Sequence, residues 1–365
     1  MPSAGGLSDS YLGSLAKLPA KVLFSRLAVS SLVVIFLGIT TIVFVGAITW
    51  IDKPFSGFLI NGRKVVVDYG QYYWTGKQGG LKYPDKLLEA DGKSIESDRD
   101  LEDVLQRHAI GDSITYLLDR DGRQLVANIT VMRFTLVDFL MTFGIEFVAG
   151  LLYVVLGVVV FVLKPDTHVS WAHFSACYAV GLYVMSGFDM VSSHSILPLY
   201  YFVNAWVPAG FVHLSLVFPY RWKLVQRRPW IVAAPYAMAG LSLIPMAMYY
   251  PGPLFLLAYQ FIHVFTLVSA LVLVSSACVA FLKGESVLAR QRAKVVLLGA
   301  ALAFPVPVFF YIAPFVGHVF ESVTFNSNFL ALALLIFPSF VAYAISKHNL
   351  FDVDVYIKRT VGYVL

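Results

Sequence analysis

Hydrophobic and polar positions divide the chain into long apolar runs separated by short polar breaks, with one exception. A hydrocarbon core about 30 Å thick needs roughly 20 apolar residues per helix. Runs of that order fall at residues 27–50, 139–163, 170–189, 196–218, 230–250, 254–282, 295–316 and 328–346. The pattern predicts eight membrane helices, one alone (27–50) and seven in succession (139–346). The exception is residues 51–133, where apolar stretches shorten and turn residues recur, as in a small folded domain.

Local signals in that segment predict a mixed α+β domain. FLINGRKVVVDY, LLEADGKSI and LLDRDGRQL place Asn61-Gly62, Asp91-Gly92 and Asp121-Gly122 between apolar strands. Such pairs favour two-residue hairpin turns, in which both positions need positive φ. ESDRDLEDVLQRHAIGD reads as one helix. Ser97 caps it with Asp100 at the capping-box position, Leu101, Val104, Leu105 and His108 form a stripe, and Gly111 ends it.

Composition agrees with the pattern. Hydrophobic residues make up 58% of the chain and charged residues 13%, whereas about a quarter of an ordinary soluble domain is charged. Lys17, Lys21 and Arg26 precede the first run as in a signal peptide, but the run is longer than the 7–15 residues of a signal core, so an uncleaved anchor is expected. With residues 1–26 on the cytoplasmic side, 15 of the 27 lysines and arginines fall in cytoplasmic segments and the other 12 lie between Lys53 and Arg133. This is the bias expected of an inner-membrane protein with both termini inside and residues 51–133 outside. The net charge of +5 follows from that bias and calls for no nucleic acid. Membrane lipid is the implied surrounding.

Chemistry is sparse. Cys177 and Cys278 both fall in apolar runs, which excludes a disulfide framework and a CxxC metal site. No HExxH or GxSxG occurs, and no metal, cofactor or catalytic residue is expected. Ionisable residues within spans are functional candidates, which singles out Glu146, Asp189 and His263, all in the outer thirds of their helices, where they can line an outward-facing pocket. The alternative is interfacial or internally paired side chains. His173 and His213, nearer the inner ends, read as structural. Pro208, Pro235, Pro245, Pro305, Pro307, Pro314 and Pro338 are expected to interrupt helices.

Two resemblances extend this reading. GLKYPDKLLEADGKSIESDRDLEDVLQRHAIGDSITYLLDRDGRQLVANITV resembles the later two-thirds of a bacterial PDZ domain, with Pro84-Asp85 where Gly-Asp is usual. PDZ domains add an extended peptide to a sheet edge, and the resemblance places the equivalent loop at Ser56, Gly57, Phe58 and Leu59. A spacer or dimer contact is the other reading of this domain. FVHLSLVFPYRWKLVQRRPWIVAAPY, ARQRAKVVLLGAALAFPVPVFF and FVAYAISKHNLFDVDVYIKRTVGYVL resemble the membrane input region of competence-type quorum-sensing histidine kinases. That resemblance implies a signal-transmitting linker in residues 347–365, carried by Leu350, Phe351, Asp352, Asp354 and Arg359. It also implies a homodimer in the full-length protein and an output domain following a chain that looks cut. The chain has no phosphoacceptor context or ATP-binding glycine boxes of its own. The expected function is sensory input, detecting an extracytoplasmic peptide or small ligand. A stand-alone PDZ-containing membrane scaffold is the alternative, and a transporter a further one.

Overall fold

The structure, a computed structural model, describes residues 20–67, 70–284, 286–305 and 329–347. Helix α1 (Ala20–Ile48) leads into a polar domain. This contains β1 (Pro54–Phe55), the single turn α2 (Thr75–Gln78), β2 (Lys86–Ala90), β3 (Lys93–Ser94), α3 (Asp98–Leu105), β4 (Ser113–Arg120), β5 (Arg123–Thr130) and β6 (Met132–Arg133). One antiparallel sheet runs in the order β3-β2-β4-β5, and β1 pairs separately with β6. Leu87, Ile114, Tyr116, Leu118 and Ile129 are buried beneath Leu101 and Val104 of α3. Each such aliphatic side chain contributes about 1.5–3 kcal/mol on burial.

Two of the three expected turns form as read. Asp91 and Gly92 have φ of 48° and 75°, and Asp121 and Gly122 have 55° and 78°, closing the pairs Ala90↔Lys93 and Arg120↔Arg123. Asn61-Gly62 does not. The Asn61 side-chain oxygen accepts the amides of Arg63 (3.0 Å) and Val65 (3.2 Å), its carbonyl accepts that of Lys64 (2.7 Å), and positive φ passes to Lys64 at 63°. Helix α3 starts as expected, with the Ser97 amide and hydroxyl both donating to Asp100 at 2.8 Å. It ends at Leu105, earlier than Gly111 suggested. His108 is drawn back to Asp91 at 2.9 Å, and Gly111, with φ of 104°, serves a later turn.

Beyond β6, α4 (Leu136–Phe139) continues through a π-helical turn (Leu140–Gly144) into α5 (Ile145–Leu163). There follow α6 (His168–Met185), α7 (Gly187–Val191), α8 (Leu197–Val217), α9 (Lys223–Arg227), a 3₁₀ turn (Pro229–Ala233) and α10 (Ala234–Met248). The last helices are α11 (Pro253–Lys283), α12 (Val287–Ala303), α13 (Phe329–Leu334) and α14 (Ile336–Ser346). Among the described residues six helical stretches are long and apolar enough to cross a membrane: Val22–Ile48, Leu136–Leu163, His168–Val191, Pro229–Met248, Pro253–Lys283 and Phe329–Ser346. Of the two further expected spans, 196–218 corresponds to α8, whose 21 residues include Asn204, Pro208 and His213 and pack among α6, α10 and α11. The other, 295–316, begins in α12 and runs outside the described residues.

Small residues let α5 and α6 approach closely. A Cβ on Gly181 of α6 would stand 2.8 Å from the Gly150 carbonyl of α5 and 2.7 Å from a Val154 methyl. Pro208 and Pro245 sit inside helices. Pro235 lies in the first turn of α10, where a proline removes no helical hydrogen bond; Pro338 follows closely on the break at Leu335 that separates α13 from α14, and Pro305 follows the end of α12. Pro307 and Pro314 lie outside the described residues.

Candidate peptide-binding cleft

Strand residues Leu59–Asn61 pair on one side only. The Asn61 amide donates to Val65 O at 3.0 Å and the Val67 amide to Leu59 O at 3.0 Å, flanking the bridge Ile60↔Val66. In antiparallel geometry that leaves the amide and carbonyl of Ile60 pointing away from Val66. Among the described residues neither has a recorded hydrogen-bond partner. The same stretch lines a cleft of about 1060 Å³.

Three walls enclose that cleft. One is the chain from Trp50 to Ile60, the second is α3 through Arg99, Leu101, Glu102, Leu105 and Gln106, and the third is the bundle loop holding Ser192, Ser193 and Ser195. Of the four loop residues singled out from sequence, Ser56, Phe58 and Leu59 line the cleft. All three side chains are buried, and Ser56 Oγ donates to Phe58 O at 2.8 Å. Whatever they offer a ligand is main chain. Gly57, with φ of 78°, faces α2, where an added Cβ would meet the Thr75 side chain and stand 2.8 Å from the Gly76 amide. The polar residues of α3 and the serine loop were not singled out from sequence. The loop's part depends on residues more than 130 positions away in the chain, which no local pattern encodes.

Behind the cleft an aromatic cluster joins the polar domain to the bundle. Trp50 stands 5.9 Å from both Phe134 and Phe188, Phe55 stands 4.8 Å from Trp74 and 5.2 Å from Phe134, and Phe143 stands 5.7 Å from Phe188. Pairs at such separations contribute about 0.5–1.5 kcal/mol each beyond area burial. At the centre lies the fully buried carboxylate of Asp138. Its Oδ1 accepts from Tyr73 Oη and Trp74 Nε1, both at 2.7 Å, and its Oδ2 from Thr135 N (2.8 Å) and Oγ1 (2.6 Å). Burial, then the hydrogen bond to Asp138, pushes the Tyr73 phenol well above its ordinary range.

The domain carries a second buried carboxylate. Asp85, fully buried, accepts from Arg120 Nε at 2.6 Å and Nη2 at 2.7 Å, and from the Lys82 amide at 2.9 Å. Burial works to raise its pKa, but the Arg120 and Lys82 hydrogen bonds outweigh it and hold the carboxyl below the usual range.

Glu146, Asp189 and His263 stand in different settings. Glu146 is buried beside α7, its Oε2 3.1 Å from where a Cβ on Gly187 would be. Asp189 is buried and wound into its own loop. Its Oδ1 accepts from Ser193 Oγ (2.6 Å) and Ser195 N (3.0 Å), its Oδ2 from Ile196 N (2.9 Å), and its carbonyl from His194 N (2.9 Å). His263 stands on α11 with Nδ1 2.8 Å from Tyr259 O and its ring edge-on to Tyr259 at 4.4 Å. His213 bonds Tyr236 Oη at 3.0 Å, and His173 meets Cys177 at 3.5 Å on the wall of a mostly apolar bundle cavity of about 280 Å³. Leu350, Phe351, Asp352, Asp354 and Arg359 lie outside the described residues, and among the described residues no cluster of metal-ligating side chains occurs. No protein family, curated protein or solved structure matches this chain.

Proposed function

We propose that the protein is a membrane-embedded input module. It captures an extended peptide segment on the open edge of the Phe58–Asn61 strand and passes occupancy of the cleft to the helical bundle. The observation that carries this is the position of Ile60, whose amide and carbonyl turn away from Val66 in a stretch lining the 1060 Å³ cleft. An extended peptide satisfies such an edge by strand addition, with affinity drawn from main-chain hydrogen bonds. The PDZ resemblance expected that mode from sequence.

The join supports relay. The Trp50–Phe55–Phe134–Phe188 cluster and the Asp138 clamp leave the polar domain little freedom to move independently of α1, α4 and α7. The bundle cavity of about 280 Å³ gives the helices room to repack between two arrangements. A ligand shifts such a pair only through different affinity for each state. In this proposal eight helices span a bacterial inner membrane with both termini cytoplasmic. The polar domain faces outward, and residues 347–365 couple a homodimer to a histidine-kinase output.

The test uses the full chain in lipid nanodiscs with a fluorescein-labelled octapeptide of alternating serine and valine. Saturable binding that falls at least tenfold when alternate probe amides are N-methylated is expected. Binding indifferent to N-methylation overturns strand addition. For topology, impermeant lysine labelling from outside the cell should reach Lys93, and finding Lys93 protected overturns the orientation.

A further inference from the structure

We infer that the cleft is a composite site, one of its walls built by the membrane bundle, and that the segment it takes is acidic. This rests on the strand-addition reading above and adds to it the part the bundle wall plays and the charge of the ligand.

The bundle wall is the Ser192–Ser195 loop. Asp189 fixes it by accepting from the side chain or amides of Ser193, Ser195 and Ile196, while its carbonyl takes the amides of Ser192 (3.3 Å) and His194 (2.9 Å). Asp189 is therefore a positioning residue whose carboxylate is wholly used inside the loop. The loop's outward groups are what a ligand meets. Ser192 Oγ donates to Phe188 O at 2.6 Å and Ser193 Oγ to Asp189. For Ser195 Oγ no hydrogen bond is recorded among the described residues, and the residue lines the cleft with its side chain exposed. The strand edge is tied to the same part of the bundle. Its turn brings Gly62 so close to Tyr250 and Leu197 that an added Cβ would meet the Tyr250 hydroxyl and stand 3.1 Å from Leu197. A peptide seated between the strand and this loop touches both halves of the molecule at once.

The charges point to acidic side chains. Lys53 and Arg99 line the cleft and are exposed, with no ion pair recorded among the described residues. Among the described residues the lining holds one acidic side chain, Glu102, which accepts from Gln106 Nε2 at 3.3 Å, so two cations stand there against one anion. Two exposed ion pairs support a preference on the order of tenfold.

The experiment compares labelled octapeptides of alternating glutamate and valine, and of alternating lysine and valine, on the full chain in zwitterionic nanodiscs. p-Benzoylphenylalanine is placed at Gln106 or at Ser195 for photocrosslinking. The expected result is about tenfold tighter binding of the acidic probe, reversal of that preference in the double variant Lys53→Glu/Arg99→Glu, and crosslinks from both positions. Crosslinking from position 106 but not 195 overturns the composite wall while leaving strand addition intact. Equal binding of the two probes, or a preference unaffected by charge reversal, overturns the acidic ligand. Failure of these probes and of the serine-valine peptide together removes the strand-addition reading beneath the inference.

Discussion

Replacing Asp138 should loosen the join between polar domain and bundle without unfolding the sheet. The carboxylate is fully buried and accepts four hydrogen bonds, two from Thr135 in its own helical turn and two from Tyr73 and Trp74 about 65 positions away. The local pair acts as an N-cap, worth about 1 kcal/mol. Each distant bond, being made to a charged acceptor, contributes about 1.5–3 kcal/mol. The partly exposed Tyr73 hydroxyl recovers part of its loss from water in the variant, whereas the Trp74 indole N–H, on a residue 1% exposed, recovers little. Asp138→Ala should therefore cost roughly 3–5 kcal/mol, and at about 1.4 kcal/mol per decade the local opening equilibrium rises by about two to three and a half powers of ten. Tyr73→Phe removes one bond and should cost about 1 kcal/mol. Amide hydrogen exchange on the full chain in nanodiscs reads this directly. Residues 71–80 should lose protection in graded fashion, and β4 and β5 should keep theirs. Protection of 71–80 within threefold of wild type in Asp138→Ala would refute the clamp, and so would equal loss across β4 and β5.

Five further outcomes are expected. The raised Tyr73 pKa favours the neutral phenol in the folded state, so its contribution is intact below the ordinary tyrosine value of about 10 and is lost as pH rises beyond it. Trp74 fluorescence should report loosening above about pH 10 in the wild type and a weaker pH dependence in Tyr73→Phe. Arg120→Ala leaves Asp85 buried without its main partner and should cost roughly 2–4 kcal/mol by thermal unfolding. Because the Asp85 carboxyl is held below its usual range, the stability it supplies is present above about pH 4 and lost as pH falls below that, which acid titration of β2 exchange would show. Gly57→Ala forces a side chain into positive φ and against Thr75, costing about 1–3 kcal/mol, and should lower probe binding together with protection of residues 56–60. Gly181→Leu drives α6 from α5 at the Gly150 carbonyl and should lower the detergent-solubilised melting temperature, as overpacking costs about 1–3 kcal/mol.

Features governed by neighbouring residues were legible. Asp91-Gly92, Asp121-Gly122 and the Ser97–Asp100 capping box were readable because turn and cap chemistry act over two to four positions. Asn61-Gly62 misled because the Asn61 side chain itself caps the turn, an option with the same two-letter signature. The apolar runs gave most helix positions. The limits of α8 as a membrane span follow from its polar members Asn204 and His213, which it keeps by packing among three other helices. The lining of the candidate cleft overlaps the sequence reading in part. Ser56, Phe58 and Leu59 do line the cleft, but Arg99, Glu102 and Gln106 are ordinary helix-surface residues until the fold places the bundle beside them. Asp138 had one local sign, the spacing Thr135-x-x-Asp138 of a capping box, yet its bonds to Tyr73 and Trp74 required the tertiary fold. Asp189 drew notice as a charge near a membrane, and the structure spends that charge on winding a loop.

The antiparallel pairing of Pro54–Phe55 with Met132–Arg133, extended by the Asp52 amide on Phe134 O at 2.8 Å, brings the two ends of the polar domain side by side. Excising everything between them and closing the gap with a two-residue hairpin would leave α1 and α4 at their present separation. The domain is thus an insert on a two-stranded stem, and another folded unit with equally close termini can be grafted there.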